Sequence, residues 1–242
     1  ELGKLARPEE FFDFTRYRPT IYLEEGVRRV RLPNIEIRYA KRGEGSDLVF
    51  LHLLEPHMQG EAYVDSLLNL LGELGVVRYS VLGSMYDAVP HTKPLMVTGG
   101  ALGEGAKRAI DWAGIRPSDY QGPTTIVFLL NQRAPELGMD SLWFIASLPH
   151  YVQLEEDHMG AVRLMEVLSS LYGLPVTEEE IAKAEEQRRN LDQILEVKPE
   201  LKAVVAKLEE FYDERVSGGG AKPLSPEVER FLREISRDLG RE

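Results

Sequence analysis

The chain has 242 residues, enough to bury one sizeable core, and its 43% hydrophobic content excludes a wholly disordered polypeptide. It carries 29 basic against 40 acidic residues, a formal net charge of −11 that excludes any general affinity for nucleic acid or anionic membrane. Cysteine is absent, which removes disulfides, thiolate zinc sites and cysteine nucleophiles together.

The opening residues, Glu1-Leu2-Gly3-Lys4, form no leader pattern, and no apolar run approaches the roughly 20 residues that span a bilayer. A cytoplasmic protein is expected. Residues 27–32 and 35–39 read as two short strands hinged at Pro33-Asn34, the second alternating through Ile35, Ile37 and Tyr39. Residues 48–51, Leu-Val-Phe-Leu, read as a strand buried on both faces. Tyr63, Leu67, Leu70, Leu71 and Leu74 recur at helical spacing, Gly75 ends that helix, and residues 76–82 read as the next strand. Strand, helix, strand implies a parallel pair.

Residues 95–98 are a strand candidate, 103–113 a short helix, 124–130 a strong apolar strand and 142–147 another. Ala161, Leu164, Met165, Leu168, Leu171 and Tyr172 mark a helix closed by Gly173 and Pro175. The expected fold class is α/β, an open and mostly parallel sheet flanked by helices, over residues 1–175. Beyond that, residues 176–242 read as a helical C-terminal arm, packed on the core or on a neighbouring subunit. Thr177-Glu178-Glu179-Glu180 is a capping box. Leu201, Val204, Val205, Leu208, Phe211 and Tyr212 form an apolar stripe, the glycines 218–220 a flexible break, and Ser225-Pro226 the start of a last helix.

In such a sheet the loops after the strands share one rim, where open α/β folds place ligands. Glu55, His57, Tyr86, Asp87, His91, Thr92, Asn131, Arg133, His150 and Tyr151 all fall there, the acid, base and cation types that a catalytic or binding pocket needs. Loops are polar in any case, and Pro56, Pro90 and Pro149 equally suit tight connections. His57, His91 and His150 with Glu55 show no metal-ligand spacing, so no metal is expected. The glycines of residues 98–105 lack the Walker and dinucleotide patterns, and Glu104 would repel an anion; a flexible loop is expected there, and no cofactor. Residues 82–85 lack the serine-nucleophile elbow. Trp112 and Trp143 read as core residues.

An ordered set of motifs resembles the proteasome assembly chaperone family, in its bacterial branch. The segments are Phe12-Asp13-Phe14 with Arg18-Pro19, Glu55-Pro56, Leu82-Gly83 with Pro90-His91-Thr92-Lys93-Pro94, Tyr120-Gln121-Gly122-Pro123-Thr124, and Leu142-Trp143 with Pro149-His150-Tyr151. Lys93 stands for the usual arginine, Gln59-Gly60-Glu61 where an aromatic residue is expected, and Thr125 for a glycine. The resemblance implies a fold similar to nucleoside phosphorylases and peptidyl-tRNA hydrolases, with a helical extension. It also implies ring-like homo-oligomers, trimers or higher, and protein partners. Family members begin with a further strand and helix, so Glu1 is expected near the end of a helix.

Two functions follow. The first is an oligomeric scaffold of assembly-chaperone-like type, which needs no catalytic residue. The alternative is a small-molecule enzyme of nucleoside-phosphorylase-like or ligase-like type, with Glu55 and His91 as acid-base pair, His150 positioning and Arg133 clamping an anion.

Overall fold

The computed structural model describes residues 2–217 of the chain. Glu1, the glycines 218–220 and the helix expected from Ser225 lie outside the described residues. Two compact units are built from interleaved segments. The first comprises Glu1–Val81, Leu102–Ala106 and Tyr120–Ser141, and the second Leu82–Ala101, Lys107–Asp119 and Leu142–Glu242.

In the first unit, β1 (Thr20–Glu24) and β2 (Val27–Arg31) form an antiparallel hairpin. Glu25 and Gly26 turn it with φ of 51° and 80°, the left-handed pair that matches strand twist. β1 is not among the strands expected from the sequence, although Ile21 and Leu23 alternate along it; all its residues but half-buried Tyr22 are exposed. β3 (Glu36–Ala40) pairs antiparallel with β4 (Leu48–His52), and Gly3 bridges to Ile37. Two expectations fail at β4. Its residues are half-buried or exposed rather than enclosed on both faces, and it does not form a parallel pair with the strand that follows the next helix. The short connection from β3 returns the chain antiparallel instead.

Helix α1 (Gly60–Glu73) buries Tyr63, Val64, Leu67, Leu68 and Leu71, against which Phe11 and Phe12 set their rings at 5.3 and 6.0 Å from Tyr63. A second correction concerns residues 124–130, expected as a strand. They open α3 (Ile126–Arg133), which packs on α1 with Ile126, Leu130 and Ala134 buried at four-residue spacing. A short apolar run fits a buried helix as well as a strand, and periodicity alone does not separate them.

Four strands form the main sheet, in the order β5 (Arg78–Asp87), β8 (Asp140–Pro149), β6 (Val97–Leu102), β7 (Arg116–Pro117). The amide of Asp140 donates to Val77 and that of His150 to Asp87, so β5 and β8 run parallel. The amide of Ser147 donates to Met96 while Gly99 meets Trp143, so β6 opposes β8; β7 is parallel to β6. The class is the expected α/β, with a mixed sheet flanked by helices. Gly99 and Gly100, expected in a flexible loop, are instead strand residues of β6. A Cβ on Gly99 would lie 2.2 Å from the Trp143 carbonyl oxygen, and one on Gly100 2.0 Å from the Trp143 ring. Glycine is there because β8 approaches too closely for any side chain. Trp143 is half-buried, whereas Trp112, at the end of α2 (Glu104–Trp112), is 69% exposed rather than in the core.

In the second unit α4 (His158–Tyr172) starts at Asp157, whose carboxylate accepts from the Gly160 amide at 2.7 Å, and stops at Gly173 with φ of 65°. α5 (Glu178–Val197) opens on the expected capping box of Thr177 and Glu180. α6 (Pro199–Val216) begins with proline in its first turn. Val205 and Leu208 of α6 join Ala88, Tyr151 and Val152 in one core cluster, flanked by Leu191, Leu195, Leu201 and Phe211. The arm helices therefore pack on their own chain. No helix among the described residues is long and apolar enough to cross a membrane.

Candidate functional site

Glu55, His57, Asn131 and Arg133 belong to the first unit, where each has structural partners. The Glu55 carboxylate accepts the Ile126 amide through both oxygens, at 3.0 and 3.1 Å, and so caps α3 from outside its own segment. That position also sets a negative charge against the helix N-terminus. His57 accepts the Asp13 amide on Nδ1 at 3.2 Å, its ring lies edge-on to Tyr17 at 4.6 Å, and its own amide donates to Phe11. The Phe12-Asp13-Phe14 and Glu55-Pro56-His57 segments are thus stitched together. Asp13 also accepts the Thr15 hydroxyl and amide, which hold its carboxyl below the usual range. Asn131 and Arg133 lie on α3, not on a strand-end loop as expected, because the strand that would have led to that loop is a helix. Arg133 pairs with Asp65 at 2.7 Å, and the Asn131 carbonyl accepts from Ser141 at 2.7 Å. Replacing Glu55 by alanine is expected to remove about 1 kcal/mol of stability, the usual effect of losing a helix cap. Urea unfolding measures it, and Glu55→Gln, which keeps an acceptor oxygen, should lose less.

In the second unit the remaining candidates converge on the arm. His91 is 1% exposed. The Tyr151 hydroxyl accepts the His91 amide at 2.9 Å and lies 2.6 Å from His91 Nδ1. The opposite edge of the ring carries Nε2. That atom faces the Asp192 carboxylate of α5 at 3.3 Å, outside hydrogen-bond geometry. Thr92 donates its hydroxyl to Glu209 of α6, and its carbonyl accepts from Arg188 of α5 at 3.2 Å. Lys93 pairs with Asp213 at 3.0 Å, and Tyr212 donates to the Pro94 carbonyl at 2.8 Å. Asp87 accepts the Ala88 amide on one oxygen; Ser147 and Arg215 share the other at 3.0 Å each. His150 stands 5.9 Å from the Tyr86 ring.

Residues His91 to Pro94 are therefore held by side chains of α5 and α6. Those side chains are Arg188, Asp192, Glu209, Tyr212 and Asp213, and only Tyr212 stood out in the sequence, as part of an apolar stripe; Arg215 of α6 holds Asp87 instead. A usable signal existed: Glu209 and Asp213 are four residues apart and flank the buried Leu208 and Tyr212. Among the described residues no group of three His, Asp or Glu side chains could hold a metal ion.

Burial lowers the His91 pKa, with Asp192 opposing in part. The unfolded imidazole, with a pKa of about 6.5, then binds protons that the folded one does not. Stability from this group is complete above about pH 6.5 and falls as the pH drops toward the folded value. Melting temperature should accordingly decline as the pH falls below about 6.5, and less steeply in His91→Gln. Equal slopes would remove His91 as the cause.

The sequence pattern of the PAC2 family matches residues 6–195. Among solved structures the chain is similar to a PAC2 family protein from Streptomyces avermitilis MA, with 29% identity and a TM-score of 0.72, over 79% of this chain and 81% of that one. It is similar to a proteasome-assembly chaperone homologue from Mycobacterium tuberculosis, with 26% identity and a TM-score of 0.72, over 84% and 86%. A protein of unknown function from Mycobacterium tuberculosis gives 25% identity and a TM-score of 0.74, over 94% and 77%. No curated protein matches.

Proposed function

We propose, since this chain belongs to the PAC2 family, that it is a cytoplasmic, assembly-chaperone-like scaffold acting as a homo-oligomer on protein partners. The observation that carries this reading is the occupation of the His91-Thr92-Lys93 segment by α5 and α6. The polar residues best suited to chemistry in that unit are spent on holding protein helices. A 1%-exposed imidazole, bonded through Nδ1 to Tyr151, is poorly placed to exchange protons with a substrate. The Mycobacterium tuberculosis relative, described as a proteasome-assembly chaperone homologue, points the same way by analogy.

Crosslinking in cells followed by mass spectrometry tests the proposal. It should recover links between copies of the chain and links to subunits of a larger assembly. Recovering neither, while nucleosides or phosphorylated metabolites raise the melting temperature, would replace the scaffold with the small-molecule enzyme.

A further inference from the structure

The β1–β2 hairpin is an unpartnered surface. Of its ten strand residues only Tyr22 is even half-buried. The register sets Ile21 opposite Val30 and Leu23 opposite Arg28, so Ile21, Leu23, Val30 and Leu32 share one face. Their exposures are 67, 71, 61 and 45%, and Arg28 is the charge among them. A two-stranded hairpin is marginal in water without cover on one face, and an apolar patch of this kind marks a contact surface.

The second unit offers a shape of opposite character. A groove of about 400 Å³ runs along α5 beside residues 154–158. Leu154, Leu191 and Ile194 give it an apolar lining, and Glu155, Glu156 and Glu186 ring it with negative charge. Lys183, also at the groove, is engaged by Glu179 at 2.7 Å.

We propose that the β1–β2 hairpin of one copy seats its apolar face in the α5 groove of a second copy, head to tail. The apolar side chains match the groove lining, and Arg28 meets the carboxylate ring, so charge complementarity selects the groove. Because hairpin and groove are different surfaces, each copy has one of each to offer. Such a heterologous contact repeats from copy to copy and closes as a ring where the rotation permits. This rests on the oligomeric-scaffold reading and names the surfaces that would build it.

Light scattering coupled to size-exclusion chromatography tests the contact. The wild-type chain should run as an oligomer. Ile21→Asp/Leu23→Asp, which spoils the hairpin, and Leu154→Asp/Glu186→Arg, which spoils the groove, should each run as a 27.4 kDa monomer. Circular dichroism melts should match wild type, because all four side chains are exposed. Mixing the two variants leaves one intact hairpin and one intact groove, so a dimer of one of each should form. A second variant pair guards against misfolding: Arg28→Glu should weaken self-association, and adding Glu186→Arg to it should restore it. A wild-type oligomer that survives both spoiling changes, or a mixture that stays monomeric, overturns the inference and leaves the scaffold reading standing. A wild-type monomer overturns both.

Discussion

Replacing Leu208 by alanine lowers the stability of the second unit by about 3 kcal/mol, the middle of the range for deleting a buried leucine side chain. Leu208 is 1% exposed and packs with Ala88, Tyr151, Val152 and Val205, so it ties α6 to the segments that carry the signature residues. Part of the loss is transfer of methyl groups and part is the cavity left behind. Because Tyr151 belongs to the same cluster and also bonds His91, the damage should spread to the His91 environment. Urea unfolding gives the first number, and the His91 imidazole resonances give the second. A leucine-to-alanine change at half-buried Leu201 should cost less than half as much. If the Leu208 variant is as stable as wild type, α6 is not packed where the structure puts it.

Gly99→Ala is expected to be nearly as damaging, at about 3 kcal/mol, since the methyl group has no room and overpacked sites cost this much when neighbours cannot yield. Its Cβ would lie 2.2 Å from the backbone oxygen of Trp143, so β6 and β8 must separate to admit it. Gly83→Ala is the internal control. There the nearest atom is Ile145 Cδ1 at 3.2 Å, the end of a side chain that can turn aside. Thermal unfolding should separate the two variants by many degrees. An anion-cradling loop at residues 98–105 would behave differently, with Gly99→Ala keeping the fold and losing anion binding.

Much of this architecture was legible in the sequence wherever burial imposes a period. The four-residue spacing of Tyr63, Leu67 and Leu71 announces α1, and Thr177 with Glu180 announces the start of α5. β1 is only five residues long and ends at the Glu25-Gly26 turn, so its Ile21-Leu23 alternation was too short to stand out. Residues 124–130 are apolar enough for either a strand or a buried helix. What settles them is Glu55, 71 positions away, which caps the Ile126 amide and so fixes where α3 begins. The candidate site was half legible. His91, Thr92 and Tyr151 stood out as polar residues in prolyl loops, and the family motifs drew attention to the same places. Their partners did not stand out, because Asp192, Glu209 and Asp213 look like any charged outer face of a helix. The four-residue spacing of Glu209 and Asp213 beside buried Leu208 and Tyr212 hints that this face turns inward, but it does not say toward which loop.

On the scaffold reading the His91-Thr92-Lys93 segment holds α5 and α6, and its polar groups do not bind a substrate. Native-state hydrogen exchange tests it on the unmodified protein, since amides that open together report one cooperative unit. The His91 amide, donated to the Tyr151 hydroxyl, should exchange as slowly as the amides in the middle of α6. Fast exchange at His91 beside a protected α6 would mean an open loop and would remove the observation that carries the scaffold reading.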